Sequence, residues 1–293
     1  MKKIISIISV VLMCNILYAQ RSELGILAGT SYYLGDINTS SQFYNPKIAG
    51  GIIYRYNLNP HWALKLNALY GRVEASDADF DNIRNLSFRS DIFEISSQVE
   101  LNFLGYFTGS KKHRFTPYIF AGIGFFHFNP QAYWVNPATN EGKWYDLQPL
   151  GLEGQGYASY PDRKPYSLTE FTIPFGLGVK YSVSKAICIG AEWGIRKTFT
   201  DYIDDISTAY IDKNILLGER GTVAVALADR TPELVDPTTL LPYPPHLEGE
   251  SRGNSSTKDW YSFAGVFITF KLGYKAKPSC FEKGFNYKEN IYY

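Results

Sequence analysis

The sequence is short of three things: cysteine, net charge and long apolar runs. Its 293 residues include only 3 Cys, and 29 Lys and Arg nearly balance 28 Asp and Glu. So few cysteines exclude a disulfide-rich scaffold, and the lack of a basic excess argues against a nucleic-acid-binding protein. No run of 18 apolar residues follows the first twenty residues, so the sequence predicts no membrane-spanning helix there.

Aromatic residues and glycine are plentiful instead. The chain contains 19 Phe, 5 Trp, 23 Tyr and 25 Gly. A disordered chain would be poor in aromatics and strongly charged, so this composition predicts a folded protein. The abundance of Tyr and Phe favours β-structure.

The first nineteen residues have the pattern of a secretory signal peptide. Lys2 and Lys3 precede the apolar run Ile4–Leu17, and the small residue Ala19 follows it. We therefore expect cleavage after Ala19 and export across the inner membrane. A retained helical anchor fits less well because the run is shorter than the roughly 20 residues that span a bilayer. A lipoprotein is disfavoured because Met13 precedes Cys14, where lipidation requires a small residue.

Eight later segments alternate with the period of two that is typical of half-buried strands. In the clearest of them one face is large and apolar, and the other is small or charged. The segments are approximately 24–33, 48–56, 62–70, 93–103, 117–128, 171–181, 187–196 and 261–270.

The polar faces of these strands carry seven charged residues: Arg55, Lys65, Glu94, Glu100, Lys180, Glu192 and Arg196. A soluble barrel would turn its charges outward, whereas small residues beside charges suit a narrow polar lumen with the apolar face toward lipid. Residues 20–273 are therefore predicted to form an all-β, eight-stranded antiparallel transmembrane β-barrel. Side chains fill a lumen of this size, so we expect the charges to form a paired network and leave no open channel.

The predicted connections alternate between long and short. The short ones are 57–61, 105–114 and 182–185, and the long ones are approximately 36–46, 71–87, 129–167 and 200–258. This rhythm is typical of a bacterial outer-membrane barrel with long extracellular loops, short periplasmic turns and both termini in the periplasm. A periplasmic β-sandwich is the alternative, but it does not predict the rhythm.

Candidate chemistry is sparse. The four His residues show no H-E-x-x-H spacing, and no G-x-S-x-G sequence is present. We therefore expect no enzyme activity, no cofactor, no metal site and no small-molecule substrate. Asp201, Asp204 and Asp205 could bind calcium, but the preferred interpretation is a solvated loop base that pairs with Arg196 and Lys197.

Two cysteines follow the predicted signal peptide, Cys188 and Cys280. Both are expected on the periplasmic side, which is an oxidising compartment. A disulfide between them would tie the predicted periplasmic tail, residues 274–293, beneath the barrel. Two unpaired thiols are an equally good interpretation.

Several ordered segments carry a resemblance to a known family. They are Glu23–Gly25 through Tyr33–Asp36, Arg84–Ser90, Phe115–Tyr118 through Gly122–Gly124, Glu153–Gly156, Pro174–Lys180 and Arg196–Asp205. Together they resemble the PorG proteins of the Bacteroidetes type IX secretion system. The resemblance implies a non-enzymatic, integral outer-membrane component of that machinery, which associates with the periplasmic ring of PorK and PorN. It supplies no catalytic or binding residues to carry over.

A periplasmic ring could contact only the short turns and the tail of such a barrel. The tail combines basic and aromatic residues that suit a protein contact: Lys275, Lys277, Phe281, Phe285, Tyr287 and Tyr292. A frayed terminus is the alternative for this segment. A second hypothesis for the whole protein is a surface-exposed ligand-binding or adhesion barrel that uses loops 129–167 and 200–258. Outer-membrane lipids are expected around the barrel in either case.

Overall fold

A computed structural model describes residues 21–80 and 82–273. The predicted signal peptide and the predicted tail lie outside these residues. The strands are β1 (Ser22–Leu34), β2 (Lys47–Asn57), β3 (Trp62–Ser76), β4 (Ser87–Asn102), β5 (Phe115–Val135), β6 (Gly142–Asp146), β7 (Thr169–Ser182), β8 (Ile187–Thr198) and β9 (Trp260–Lys271). One α-helix, α1 (Lys213–Ala228), lies between β8 and β9.

Eight of the nine strands close into an antiparallel barrel. The pairing runs β1-β2-β3-β4-β5-β7-β8-β9 and returns to β1. The closing pair extends from Glu23 opposite Lys271 to Leu34 opposite Trp260. The short strand β6 pairs only with the far end of β5 and stays outside the ring. This closure confirms the predicted eight-stranded barrel.

The barrel is apolar outside and polar inside. Along β3, Leu64 and Leu66 are exposed, whereas Lys65 and Asn67 are buried. Aromatic residues lie toward both ends of this outer wall: Trp62, Phe115, Tyr181 and Phe270 at one end, and Tyr70, Phe93, Phe125 and Trp193 at the other. An apolar band between aromatic girdles is the surface of a transmembrane β-barrel. Within the described part of the chain, no helix is long and apolar enough to cross a membrane.

The two ends of the barrel differ. The short-turn end consists of the connections 58–61, 103–114 and 183–186, and the long-loop end consists of 35–46, 77–86, 136–168 and 199–259. Strands β3, β4 and β5 continue past the apolar band at the long-loop end. There Arg72 pairs with Asp91 across the outer face at 2.6 Å. The predicted segments 62–70 and 117–128 were too short because the alternation of apolar residues ends where the strands leave the lipid.

The long loops fold into a compact cap, which the sequence patterns did not predict. Asp212 immediately precedes helix α1, and its carboxylate accepts hydrogen bonds from the backbone N–H groups of Asn214 and Ile215. This is an N-cap, which satisfies amides at the helix start. Buried side chains of α1 pack with residues of the 147–157 segment and form a hydrophobic cluster within the cap. The cluster includes Leu152, Tyr157, Leu216, Ala224 and Leu227.

Candidate functional site

The charged residues of the lumen are buried and pair with one another. The structure places all seven predicted residues inside the barrel, each at most 6% exposed. They lie on β2, β3, β4, β7 and β8, at positions where the alternation turns the side chain inward. Charges withdrawn from water in this way require close partners of opposite sign.

Glu100 is the centre of the network near the short-turn end. It accepts hydrogen bonds from Arg55 Nε at 2.9 Å and from Lys180 Nζ at 2.6 Å. Lys65 Nζ lies 3.5 Å from the same carboxylate. Three cations therefore converge on one buried carboxylate.

Two further carboxylates belong to the group of charges near the short-turn end. Glu192 accepts a hydrogen bond from Lys65 Nζ at 2.7 Å and one from the Tyr118 hydroxyl at 2.8 Å. Glu23 lies 3.1 Å from Arg55 Nη1. The sequence interpretation missed Glu23 because it precedes the predicted start of the first strand by one residue, although it continues the inward alternation of that strand.

Closer to the long-loop end, Arg196 and Glu94 form a separate pair. Arg196 Nε donates to Glu94 at 2.9 Å, and the Tyr261 hydroxyl donates to the same carboxylate at 3.0 Å. With Glu23 included, four lumen cations face four carboxylates. Aromatic rings fill the space between them: Arg55 lies over Phe267, Lys65 over Phe120, Lys180 over Tyr118 and Arg196 over Phe263. The lumen is thus a neutral, packed core.

The short-turn end is closed by the connection between β4 and β5. Tyr106 and Thr108 of this connection are buried against the lumen. The Thr108 hydroxyl donates to Glu23 at 2.5 Å, and Tyr106 N–H donates to the Pro60 carbonyl at 3.0 Å. What the sequence indicated as a simple turn is a plug that contacts the charged network.

Cys188 lies buried on β8 near this end. Its predicted disulfide partner, Cys280, lies outside the described residues, as do the six predicted contact residues of the tail. The disulfide and the tail contact therefore stay predictions.

The acidic residues at the outer end of β8 are buried, and this corrects the sequence interpretation. Asp201, Asp204 and Asp205 are 3%, 1% and 0% exposed. Their expected partners are engaged elsewhere, since Arg196 pairs with Glu94 inside the lumen and Lys197 lies over the Trp260 ring at 4.8 Å. The solvated-loop interpretation was wrong because residues 200–210 fold across the mouth of the barrel.

Hydroxyl and backbone groups hold these acids. The Tyr33 hydroxyl lies within hydrogen-bonding distance of both Asp204 and Asp259, and the Tyr166 hydroxyl donates to Asp205 at 2.7 Å. Burial raises the pKa of Asp201 to about 6 and that of Asp205 to about 7. Among the described residues, no group of three or more His, Cys, Asp or Glu is arranged to hold a metal ion.

A buried ion pair fastens the cap over the mouth. Arg252 Nη1 donates to Glu153 at 3.0 Å and to the Asp205 carbonyl, and its Nε donates to the Ala228 carbonyl at 3.2 Å. Glu153 also accepts hydrogen bonds from the backbone N–H groups of Ser207 and Thr208. One ion pair thus joins the loop before β7 to both ends of the long connection between β8 and β9.

One cluster in the cap has the residue types of a hydrolase triad but not its geometry. The Thr231 hydroxyl and the Asp229 carboxylate both lie 3.1 Å from His246 Nδ1. A general base needs one ring nitrogen toward the nucleophile and the other toward the acid. Since both contacts use the same nitrogen, this cluster holds the loop together and does not form a relay.

The closed strand order, the lipid-facing band and the filled lumen together define a transmembrane β-barrel. Residues 2–147, through β6, match the model of a family described as a domain of unknown function, DUF6089. The comparison with curated proteins gave no match.

Among solved structures, the chain is similar to small outer-membrane barrels. Ail of Yersinia pestis is 7% identical with a TM-score of 0.38, covering 85% of this chain and 96% of Ail. Neisserial surface protein A is 9% identical with a TM-score of 0.39, covering 86% and 97%. OprG of Pseudomonas aeruginosa is 9% identical with a TM-score of 0.36, covering 86% and 98%. The barrel assignment rests on the strand pairing of this chain itself.

Proposed function

We propose that this protein is a non-enzymatic outer-membrane component of the type IX secretion machinery that acts by contact with the PorK/PorN ring. The observation that carries the proposal is the packed lumen, closed by a plug at one end and a cap at the other. A barrel filled in this way offers no passage for cargo, so its surfaces are left to perform the function. The resemblance of its segments to PorG proteins supports the ring as the partner.

We propose that the short-turn end of the barrel faces the periplasm. The first residue of β1, Ser22, and the last residue of β9, Lys271, both lie at the short-turn end. Bacterial outer-membrane barrels keep their short turns and termini in the periplasm. In this orientation, the short turns and residues 274–293 face the ring, and the cap faces the outside.

Co-purification from a mild-detergent outer-membrane extract tests the proposal. The tagged full-length protein should bring down the ring lipoprotein and its partner at a near-constant ratio. Deleting residues 276–293 should weaken this association while the barrel still folds. Unchanged association would reject the tail as the contact, and a barrel with no ring proteins would reject the secretion role.

The cap supports a second candidate function, surface ligand binding. It contains a cleft of about 510 Å³ at the rim, lined by residues that include Asp36, Arg84, Lys258 and Trp260. An aromatic ring beside polar groups is typical of a ligand pocket. Binding of an extracellular ligand by a protein that is dispensable for secretion would favour this candidate.

A further inference from the structure

Outside the lumen, the charged residues that the structure describes at the short-turn end are all cations. Outside the lumen, the described residues at this end include six Lys and Arg and no Asp or Glu: Arg21, Lys111, Lys112, Arg114, Lys185 and Lys271. None of the six has an ion-pair partner among the described residues. Lys111, Lys112, Arg114 and Lys185 are exposed. Among the described residues, the exposed cations of this end therefore have no carboxylate that compensates them.

Hydrogen bonds bring these cations onto one surface. Gly109 N–H donates to the Ser182 hydroxyl at 2.8 Å, and Ser182 N–H donates to the Arg114 carbonyl at 2.7 Å. Lys271 N–H donates to the Ala186 carbonyl at 2.8 Å, and its Nζ lies 3.5 Å from the Thr108 carbonyl. The two turns and the end of β9 thus adjoin.

The opposite end has the opposite sign. Segments 35–47, 71–91, 129–170 and 197–259 together contain 22 Asp and Glu but only 13 Lys and Arg. The lumen is neutral, so the net charge of +1 for the whole chain conceals two ends of unlike charge. Such a separation orients a molecule and steers a charged partner to one of its ends.

We infer that the cationic short-turn surface docks an acidic surface of a periplasmic protein. This inference rests on the proposed function and specifies the chemistry of the contact: the ring component that faces the barrel must present carboxylates to Lys111, Lys112 and Lys185. Complementary charges of this kind contribute mainly to association rate and to partner choice.

The position of the turn favours a protein over lipid headgroups. Tyr106 and Thr108 hold the 103–114 connection across the end of the lumen. The exposed residues Lys111 and Lys112 follow this plug directly, and the chain then reaches the lipid-facing rim at Phe115. A partner below the membrane can reach this surface directly.

A charge-reversal pair tests the inference in the full-length protein. Lys111→Glu with Lys112→Glu should lower recovery of the ring proteins about tenfold, because attraction becomes repulsion. Lys164→Glu with Lys213→Glu is the matched control, since it makes the same change in net charge at exposed positions in the cap. Wild-type recovery should also fall as NaCl rises from about 50 mM to about 500 mM. Heat-modifiable gel mobility would verify that each variant folds.

Each other outcome overturns the inference in a distinguishable way. If the wild type recovers the ring and Lys111→Glu with Lys112→Glu does so equally, the docking surface is wrong and the proposed function stands. If the wild type recovers no ring proteins, both fail. If the reversal removes only anionic phospholipid from the purified complex, the surface binds lipid and not protein.

Discussion

The carboxylate of Glu100 should be the most sensitive single group in the barrel. Arg55, Lys65 and Lys180 all lie within 3.5 Å of it, and none of these side chains is accessible to solvent. Glu100→Gln preserves the volume of the side chain but leaves four lumen cations facing three carboxylates. Removing one partner of a buried ion pair costs about 3–5 kcal/mol, because the remaining charge is neither solvated nor compensated.

The effect can be separated from a general packing defect. Adding Lys180→Met to Glu100→Gln restores the charge balance at similar volume, so the double variant should recover most of the lost stability. Glu141→Gln, at an exposed loop position, is the control and should change the free energy of unfolding by less than about 0.5 kcal/mol. The assay is urea unfolding of the detergent-folded protein. A Glu100→Gln variant within about 1 kcal/mol of wild type, or a double variant no more stable than the single one, would refute the reasoning.

Three further predictions concern the cap and the thiols. Arg252→Ala removes the contacts to Glu153 and Ala228, so limited proteolysis should cleave within 213–247 faster while the barrel stays intact; cleavage at the wild-type rate would contradict this. Burial raises the pKa of Asp205 from 3.8 to about 7. The folded cap therefore binds a proton at Asp205 more tightly than the unfolded chain does, and the cap loses stability as the pH rises from about 4 through 7. The cap should therefore resist protease better at pH 5 than at pH 8, and Asp205→Asn should reduce the difference; greater resistance at pH 8 would show the sign to be wrong. If Cys188 and Cys280 are joined, alkylation of the denatured, unreduced protein and its intact mass should show no modified thiol at either position, whereas two alkylated thiols would exclude the disulfide.

The sequence predicted the barrel well because two physical constraints impose the same period. A strand such as Phe171–Tyr181 meets lipid on one face and a narrow polar lumen on the other, so every second residue is fixed in type. The seven charged lumen positions follow from that alternation alone. Glu23 was not predicted as a lumen residue because the first strand begins earlier than its apolar residues indicate.

The cap could not be predicted in the same way. The buried ion pair that holds the cap joins Glu153 to Arg252. These residues are 99 positions apart in the sequence, and no periodic pattern links them. Helix α1 is interrupted by Gly221 at a φ of +80°, which breaks the regular spacing that would reveal a helix. The burial of Asp204 depends on Tyr33 from a distant strand, so its acidic neighbours looked like an ordinary solvated loop.

Site-specific photocrosslinking tests the central claim most directly. A photoreactive residue at position 112, on the short-turn surface, should form crosslinks to a ring protein in intact cells. The same residue at position 164, in the cap, should form none. Crosslinks to the ring from position 164 and not from position 112 would contradict both the orientation and the contact surface.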